Sequence, residues 1–221
     1  MSASKISNGV KIFLDFDNTL VHTKRFFQEV YTPLLIAAGK THQEIETSYQ
    51  LFSPGVDPSK GAFTPTRHLE ALGIDEEKRR DILQSLLKSF LQERAFIFPD
   101  TIFLLENLKQ YELYLLTYGQ PQYQNMKITA SGIREYFQDC LITEGSKKET
   151  LIRVIERKEE FIFVDDRKEY FSDLKSEFKN KVYGIHFTHQ DTGVTCDGCD
   201  AAAHASNAKD LIFLIKNICA A

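Results

Sequence analysis

The stretch Lys11-Ile12-Phe13-Leu14-Asp15-Phe16-Asp17-Asn18-Thr19-Leu20 decides the fold. A short apolar run closed by carboxylates suits a strand buried on both faces of a parallel sheet. Runs of the same kind recur at 112–117 (ELYLLT), 140–143 (CLIT), 161–165 (FIFVD) and 182–186 (VYGIH), with a weaker sixth at 200–204. Helical patterns fall between them, at 101–110, 147–157, 173–179 and 207–218, the last with Ser206 as N-cap. Strands alternating with helices predict an α/β fold, a Rossmann-like parallel sheet with helices on both faces. In such a sheet the chemistry sits beyond the carboxyl ends of the strands.

One segment breaks this rhythm. Residues 24–98 hold no convincing strand. Helices are predicted over 25–38, 41–52, 66–72 and 76–93, with Thr41 and Glu44 as a capping box, while 53–65 reads as a loop rich in Pro and Gly. The expected plan is a core of 1–23 and 99–221, with 24–98 as an all-helical cap inserted after the first strand.

Asp15 and Asp17 lie two apart in an extended segment and so point the same way. At a strand end they repel unless a cation lies between them or one is protonated. Asp165 and Asp166 close another buried strand. Four acids at two strand ends of one sheet fit a hard cation with oxygen ligands, and Mg²⁺ is the natural choice beside a phosphate. The plain reading is that each pair caps a following helix or turn. Two such pairs together make that the weaker account.

These residues resemble the haloacid dehalogenase (HAD) superfamily. Asp15-Phe16-Asp17-Asn18-Thr19-Leu20 is similar to its first motif, Asp-x-Asp-x-Thr. Thr117 looks like the second-motif Thr or Ser, Lys147 like the third-motif lysine (with Lys148 as its competitor), and Asp165-Asp166 like the fourth-motif acids. The resemblance spans about 10–215 outside the cap, which is similar to the C1 type. It implies that Asp15 is the nucleophile that forms an aspartyl-phosphate, and that Asp17 is the general acid and base. Thr117 would donate to the phosphoryl group and Lys147 would neutralise its charge. Mg²⁺ would be held by Asp166, the Asp15 carboxylate and the Asp17 carbonyl, with Asp165 reaching it directly or through water. Many relatives carry another acid four or five residues after the metal ligand. Those positions are Tyr170 and Phe171 here, so the double-aspartate version applies and Glu169 and Asp173 are bystanders.

The function expected is a Mg²⁺-dependent phosphohydrolase acting on a small phosphorylated metabolite. A phosphomutase and a catalytically silent HAD-like binding module are the alternatives. Dehalogenase chemistry ranks low, because relatives that cleave carbon–halogen bonds lack an acid at the position of Asp17. His22, Arg167, Tyr118 and Gly119 are candidates for substrate contact, the last two through backbone N–H groups that cradle phosphate. Lys60, Arg67 and His68 are weaker candidates in the cap.

Composition closes other doors. Apolar residues make up 43% and charged residues 26% of 221, and 27 basic against 31 acidic residues give a net charge of −4. Without a basic cluster, nucleic acid is not an expected partner. No apolar run approaches the roughly 18–20 residues that span a bilayer, and the polar start lacks a signal-peptide core, so a cytoplasmic monomer or homodimer is expected. Cys196 and Cys199, with His186, His189 and His204 nearby, form a zinc-like pattern. A loop with free thiols is the preferred reading, since no second Cys-x-x-Cys follows.

Overall fold

A computed structural model describes residues 9–52, 61–90, 96–156, 158–189 and 198–220. Its strands are β1 (Lys11–Leu14), β2 (Glu112–Tyr118), β3 (Asp139–Thr143), β4 (Phe161–Asp165), β5 (Val182–Phe187) and β6 (Ala203–Ala205). They form one parallel sheet in the order β3-β2-β1-β4-β5-β6. The chain therefore runs outward from β1 to β3, then returns to the other side of β1 for β4. β1 sits at this reversal, where open α/β sheets place their ligands.

Alternation along β1 sorts its side chains between two cores. Ile12 and Leu14 pack with helices α6 (Thr101–Leu108) and α10 (Ala208–Ala220). Phe13 packs on the opposite face, against α8 (Lys147–Val154) and α9 (Glu169–Phe178). All three side chains are fully buried, each contributing about 1.5–3 kcal/mol. Helix α7 (Pro121–Ser131) connects β2 to β3. Gln120 caps its start by accepting from the Tyr123 N–H at 2.7 Å, and Gly132 ends it with φ of 65°.

Between β1 and α6 the described residues hold the helices α1 (Thr23–Phe26), α2 (Thr32–Ala37), α3 (His42–Gln50), α4 (Pro65–Ala71) and α5 (Glu76–Phe90) and none of the sheet's strands. They surround a separate core of Phe26, Tyr31, Leu35, Ile45, Leu69, Ile82, Leu86 and Phe90. The predicted helix over 25–38 is interrupted. Phe27–Tyr31 is a π-turn, in which the Thr32 N–H donates to the carbonyl five residues back. Pro33 lacks the N–H an unbroken α-helix would use at this point, and the wider turn stacks Phe26 over Tyr31, both buried. Thr41 and Glu44 do make the capping box.

Other bounds differ as well. Helix α9 begins at Glu169 rather than 173, directly after the acid pair and with no side-chain cap. It was illegible because nothing in the sequence marks its start. The sixth strand is Ala203–Ala205. Residues 53–60 and 91–93, the cap loop and the end of the predicted 76–93 helix, lie outside the described residues. Among the described residues no helix is long and apolar enough to cross a membrane.

Candidate active site

The ladder extends one residue past β1, where the Asp15 N–H donates to the Val164 carbonyl at 2.9 Å. The chain then turns sharply. Asn18 takes φ of 60°, a conformation Asn tolerates better than most residues. The Phe16 carbonyl accepts from both Leu20 and Val21. This turn holds Thr19 back against the strand end, where its hydroxyl donates to Asp15 Oδ2 at 3.1 Å. Asp15 Oδ1 accepts from Lys147 Nζ at 2.5 Å, and the same ammonium donates to Asp165 Oδ2 at 2.6 Å. Lys147 is buried at the start of α8. Lys148 does not line the cavity, so the geometry separates the two lysines.

Carboxylate atoms of Asp15, Asp165 and Asp166 lie within 4.8 Å of one another. Burial, opposed by Lys147 but reinforced by Asp165, pushes the Asp15 carboxyl up to about 7. Burial and the charges of Asp15 and Asp165 push Asp166 up to about 8. Asp165 is also raised by burial, although both its oxygens are occupied, one by Lys147 and the other by the Arg167 N–H at 2.9 Å. Among the described residues, nothing hydrogen-bonds or pairs with the Asp166 carboxylate, which faces the cavity. This donor set, oxygen-only and short of positive charge, fits a hard divalent cation.

Asp17 is treated differently. Its carboxylate is not in that acidic group. One oxygen is met by the Lys127 ammonium and the Thr23 hydroxyl, the other by Gln124 Nε2 at 2.8 Å. Burial alone would raise its pKa, but Lys127 and these donors hold it below the usual carboxylate range. The Asp17 charge is thus balanced by a lysine on α7, while it still adds to the rise of the Asp15 carboxyl.

Gln124 ties this corner together. It also donates to Thr117 Oγ1 at 3.1 Å and to the Tyr118 carbonyl at 2.7 Å. A Cβ on Gly119 would lie 2.7 Å from Gln124 Nε2, and the φ there is 151°, so only glycine fits beneath this side chain. Sequence reasoning missed Gln124 and Lys127. A signal existed: the buried residues of α7 are Gln124, Lys127, Ile128 and Ser131. Polar side chains at 124, 127 and 131 share one helical face, where a core-facing stripe would be apolar.

A cavity of about 240 Å³ opens over these groups. Asp15, Asp17, Thr117, Lys147 and Asp166 line it, as do Tyr118, Gly119 and Arg167. Its far wall is aromatic, with Phe27, Tyr49, Phe52 and Phe63 among the lining residues.

With this geometry in view, the comparisons with known proteins are decisive at the level of family. The family model for haloacid dehalogenase-like hydrolases matches residues 12–169. The chain belongs to this family. A search of curated proteins finds no match. Among solved structures, a haloacid dehalogenase-like hydrolase from Burkholderia xenovorans superposes with a TM-score of 0.71 at 14% identity, covering 97% of this chain and 100% of that one. A protein described as a HAD hydrolase from Bacillus subtilis, bound to magnesium, gives 0.66 at 13% identity over 95% and 99% of the two chains. The L-2-haloacid dehalogenase of Xanthobacter autotrophicus gives 0.60 at 14% identity over 94% and 98%. At such identities the likeness is one of fold.

Several candidates lie elsewhere. His22 does not line the cavity; its Nδ1 accepts from the Arg25 N–H at 3.2 Å and its ring stacks on Phe98. The Gly119 N–H, expected to cradle phosphate, donates instead to the Thr143 carbonyl at 2.9 Å. Arg67 donates to the Ala62 carbonyl and pairs with Glu144 at 3.7 Å. His68 is buried beside Tyr31, whose hydroxyl is 3.0 Å from its Nδ1, and burial lowers its pKa to about 4. Lys60 and Cys196 lie outside the described residues. His186 contacts the Asp166 carbonyl and His189 the Thr19 carbonyl. Among the described residues only the three aspartates gather as a metal would require. Cys140, Cys199 and Cys219 are free thiols.

Proposed function

We propose that this chain is a magnesium-dependent phosphohydrolase that cleaves a small phosphomonoester through an aspartyl-phosphate on Asp15. The observation that carries this reading is the Asp15 carboxylate. Held by Thr19 on one oxygen and Lys147 on the other, it faces a cavity that also contains a second, separately held acid, Asp17. An attacking carboxylate needs a fixed direction and a counter-charge beside an anionic phosphate. Lys147 supplies both. Thr117 lines the cavity and would donate to a phosphoryl oxygen.

Asp17 separates phosphoryl transfer from dehalogenation, which shares this fold. An alkoxide leaving group requires a proton and a halide does not. In this role Asp17 takes a proton on cavity access, protonates the departing oxygen, and then removes a proton from water to release phosphate. Its pairing with Lys127 favours the basic form, which suits the hydrolytic half of the cycle.

The residues that would hold Mg²⁺ are Asp15, Asp166 and the main-chain carbonyl of Asp17, with Asp165 behind them. Bound there, the cation would offset the carboxylates and polarise the phosphoryl group. The site has four carboxylates against Lys127, Lys147 and Arg167, a net of −1 when all are ionised. A divalent ion turns that to +1, which favours a phosphate dianion. The helical segment over the cavity would act as the cap, excluding bulk water during transfer.

The test is release of inorganic phosphate from a panel of phosphomonoesters, with Mg²⁺ and with EDTA. Magnesium-dependent release supports the reading. Isomerisation without release would make the protein a mutase, and no turnover across the panel would favour a silent binding module.

A further inference from the structure

The cavity is charged only on its floor. Its cations are Lys127, Lys147 and Arg167. The first two are engaged with Asp17, Asp15 and Asp165, and Arg167 lies 3.6 Å from Glu169 and over the Tyr170 ring. The helical wall contributes no charged side chain to the lining among the described residues. Arg67, on the helix that follows Phe63, is turned to Glu144. The wall is instead a set of rings in mutual contact. Phe27 lies 5.1 Å from Tyr49 and 5.4 Å from Phe63, Tyr49 lies 5.1 Å from Phe63, and Phe52 and Tyr123 approach Phe63 at 5.9 and 6.1 Å. Most of these pairs are edge-to-face, the arrangement that accepts another ring at low cost.

We infer that the alcohol half of the substrate is an uncharged aromatic group. The inference rests on the phosphohydrolase reading and adds the leaving group to it. Sugar phosphates would leave several hydroxyls unpaired against these rings, at the cost of their hydration. A second phosphate or a carboxylate would find no free cation among the described residues of the wall. A quaternary ammonium would sit over the rings well in isolation, but the described wall offers no carboxylate beside them to offset its charge. The volume, about 240 Å³, falls below the roughly 300–1,000 Å³ of pockets for drug-sized ligands, so one ring with its phosphoryl group is the scale that fits. The Tyr49 and Tyr123 hydroxyls make no hydrogen bond with the described residues, which leaves them able to meet one polar substituent on that ring.

The experiment compares kcat/KM for benzyl phosphate, cyclohexylmethyl phosphate, glucose 6-phosphate and choline phosphate at saturating Mg²⁺. Benzyl and cyclohexylmethyl alcohols are both primary alkanols, so the pair isolates the ring from leaving-group reactivity. Benzyl phosphate should exceed its saturated analogue by roughly 2- to 12-fold, and glucose 6-phosphate and choline phosphate by at least about tenfold. Phe63→Leu should raise KM for benzyl phosphate, leave its kcat within about twofold, and narrow its lead over glucose 6-phosphate. Equal rates for the cyclic pair, or a sugar or choline ester ahead of both, would overturn the aromatic assignment while leaving the phosphohydrolase reading intact. Failure on all four and on the wider panel would strike that underlying reading instead.

Discussion

The floor and the far wall line one cavity and are built on opposite principles. The floor concentrates ionisable groups at the ends of β1 and β4, with Asp15 and Asp165 fixed by named partners and Asp166 left open to the cavity. The wall holds rings packed edge to face, with no charge among its described residues. A floor of this kind can direct a reaction but cannot tell one phosphate ester from another, since every ester presents it with the same group. The wall can discriminate because it meets only what differs between substrates. The same contrast recurs inside the floor. Asp15 and Asp17 are two residues apart, yet the Asp15 carboxyl is raised to about 7 while Asp17 is lowered. Lys147 is shared between two acids, whereas Lys127 and two further donors serve Asp17.

The largest expected effect is on the floor. Asp15→Asn should cut phosphate release more than about a thousandfold without unfolding the protein. Steady-state kinetics with circular dichroism checks this, and retention of a tenth of wild-type turnover would refute Asp15 as nucleophile. Next is Lys127→Met. It frees Asp17 from its cation, and a misplaced acid costs on the order of 100-fold in kcat. The substrate KM should change little, and Lys127→Arg should recover part of the loss. A KM effect with unchanged kcat would assign Lys127 to substrate binding instead.

The third prediction concerns pH. Asp15 and Asp166 are raised to about 7 and about 8 in the folded protein. The unfolded chain loses these protons near pH 4. Between those limits the folded state binds more protons, so the metal-free protein loses stability as pH rises from about 4 to about 8. Thermal melts in EDTA should show Tm falling over this interval. Magnesium at 100 times its Kd adds about 2.7 kcal/mol, roughly 5–10 °C for a chain of this size. That rise should be full at pH 8.5 and much smaller at pH 5, where both carboxyls are protonated. A magnesium effect independent of pH would place the ion elsewhere.

The smallest effect is expected at His22, beside the floor but not part of it. His22→Ala removes the α1 cap, worth about 0.5–2 kcal/mol, and should lower Tm by a few degrees. Its kcat/KM should stay within about twofold of wild type. A tenfold loss would bring His22 back into the site.

Much of the core was legible because its signals are local. Ile12, Phe13 and Leu14 form a run too apolar for a surface strand, and the acids that follow mark its carboxyl end. Thr117, Lys147 and Asp165 fall at strand ends or a helix start that periodicity locates. Helix α7 was harder. Its buried face carries Gln124 and Lys127, whose partners are 107 and 110 residues away, so the polar helical face marks them but does not say what they hold. The π-turn at Phe27–Tyr31 escaped for the opposite reason, since its flanking helices read as one.

By itself, then, the sequence determined the parallel sheet, its helices and the acids at its strand ends. Those follow from hydrophobic period and from where carboxylates interrupt it. Tertiary structure alone decided that Lys147 bridges Asp15 and Asp165, that Lys127 holds Asp17, and that rings from a helical segment close the cavity over them. Each of those facts is a meeting of residues far apart in the chain, and such meetings are fixed by packing, which no local spacing encodes.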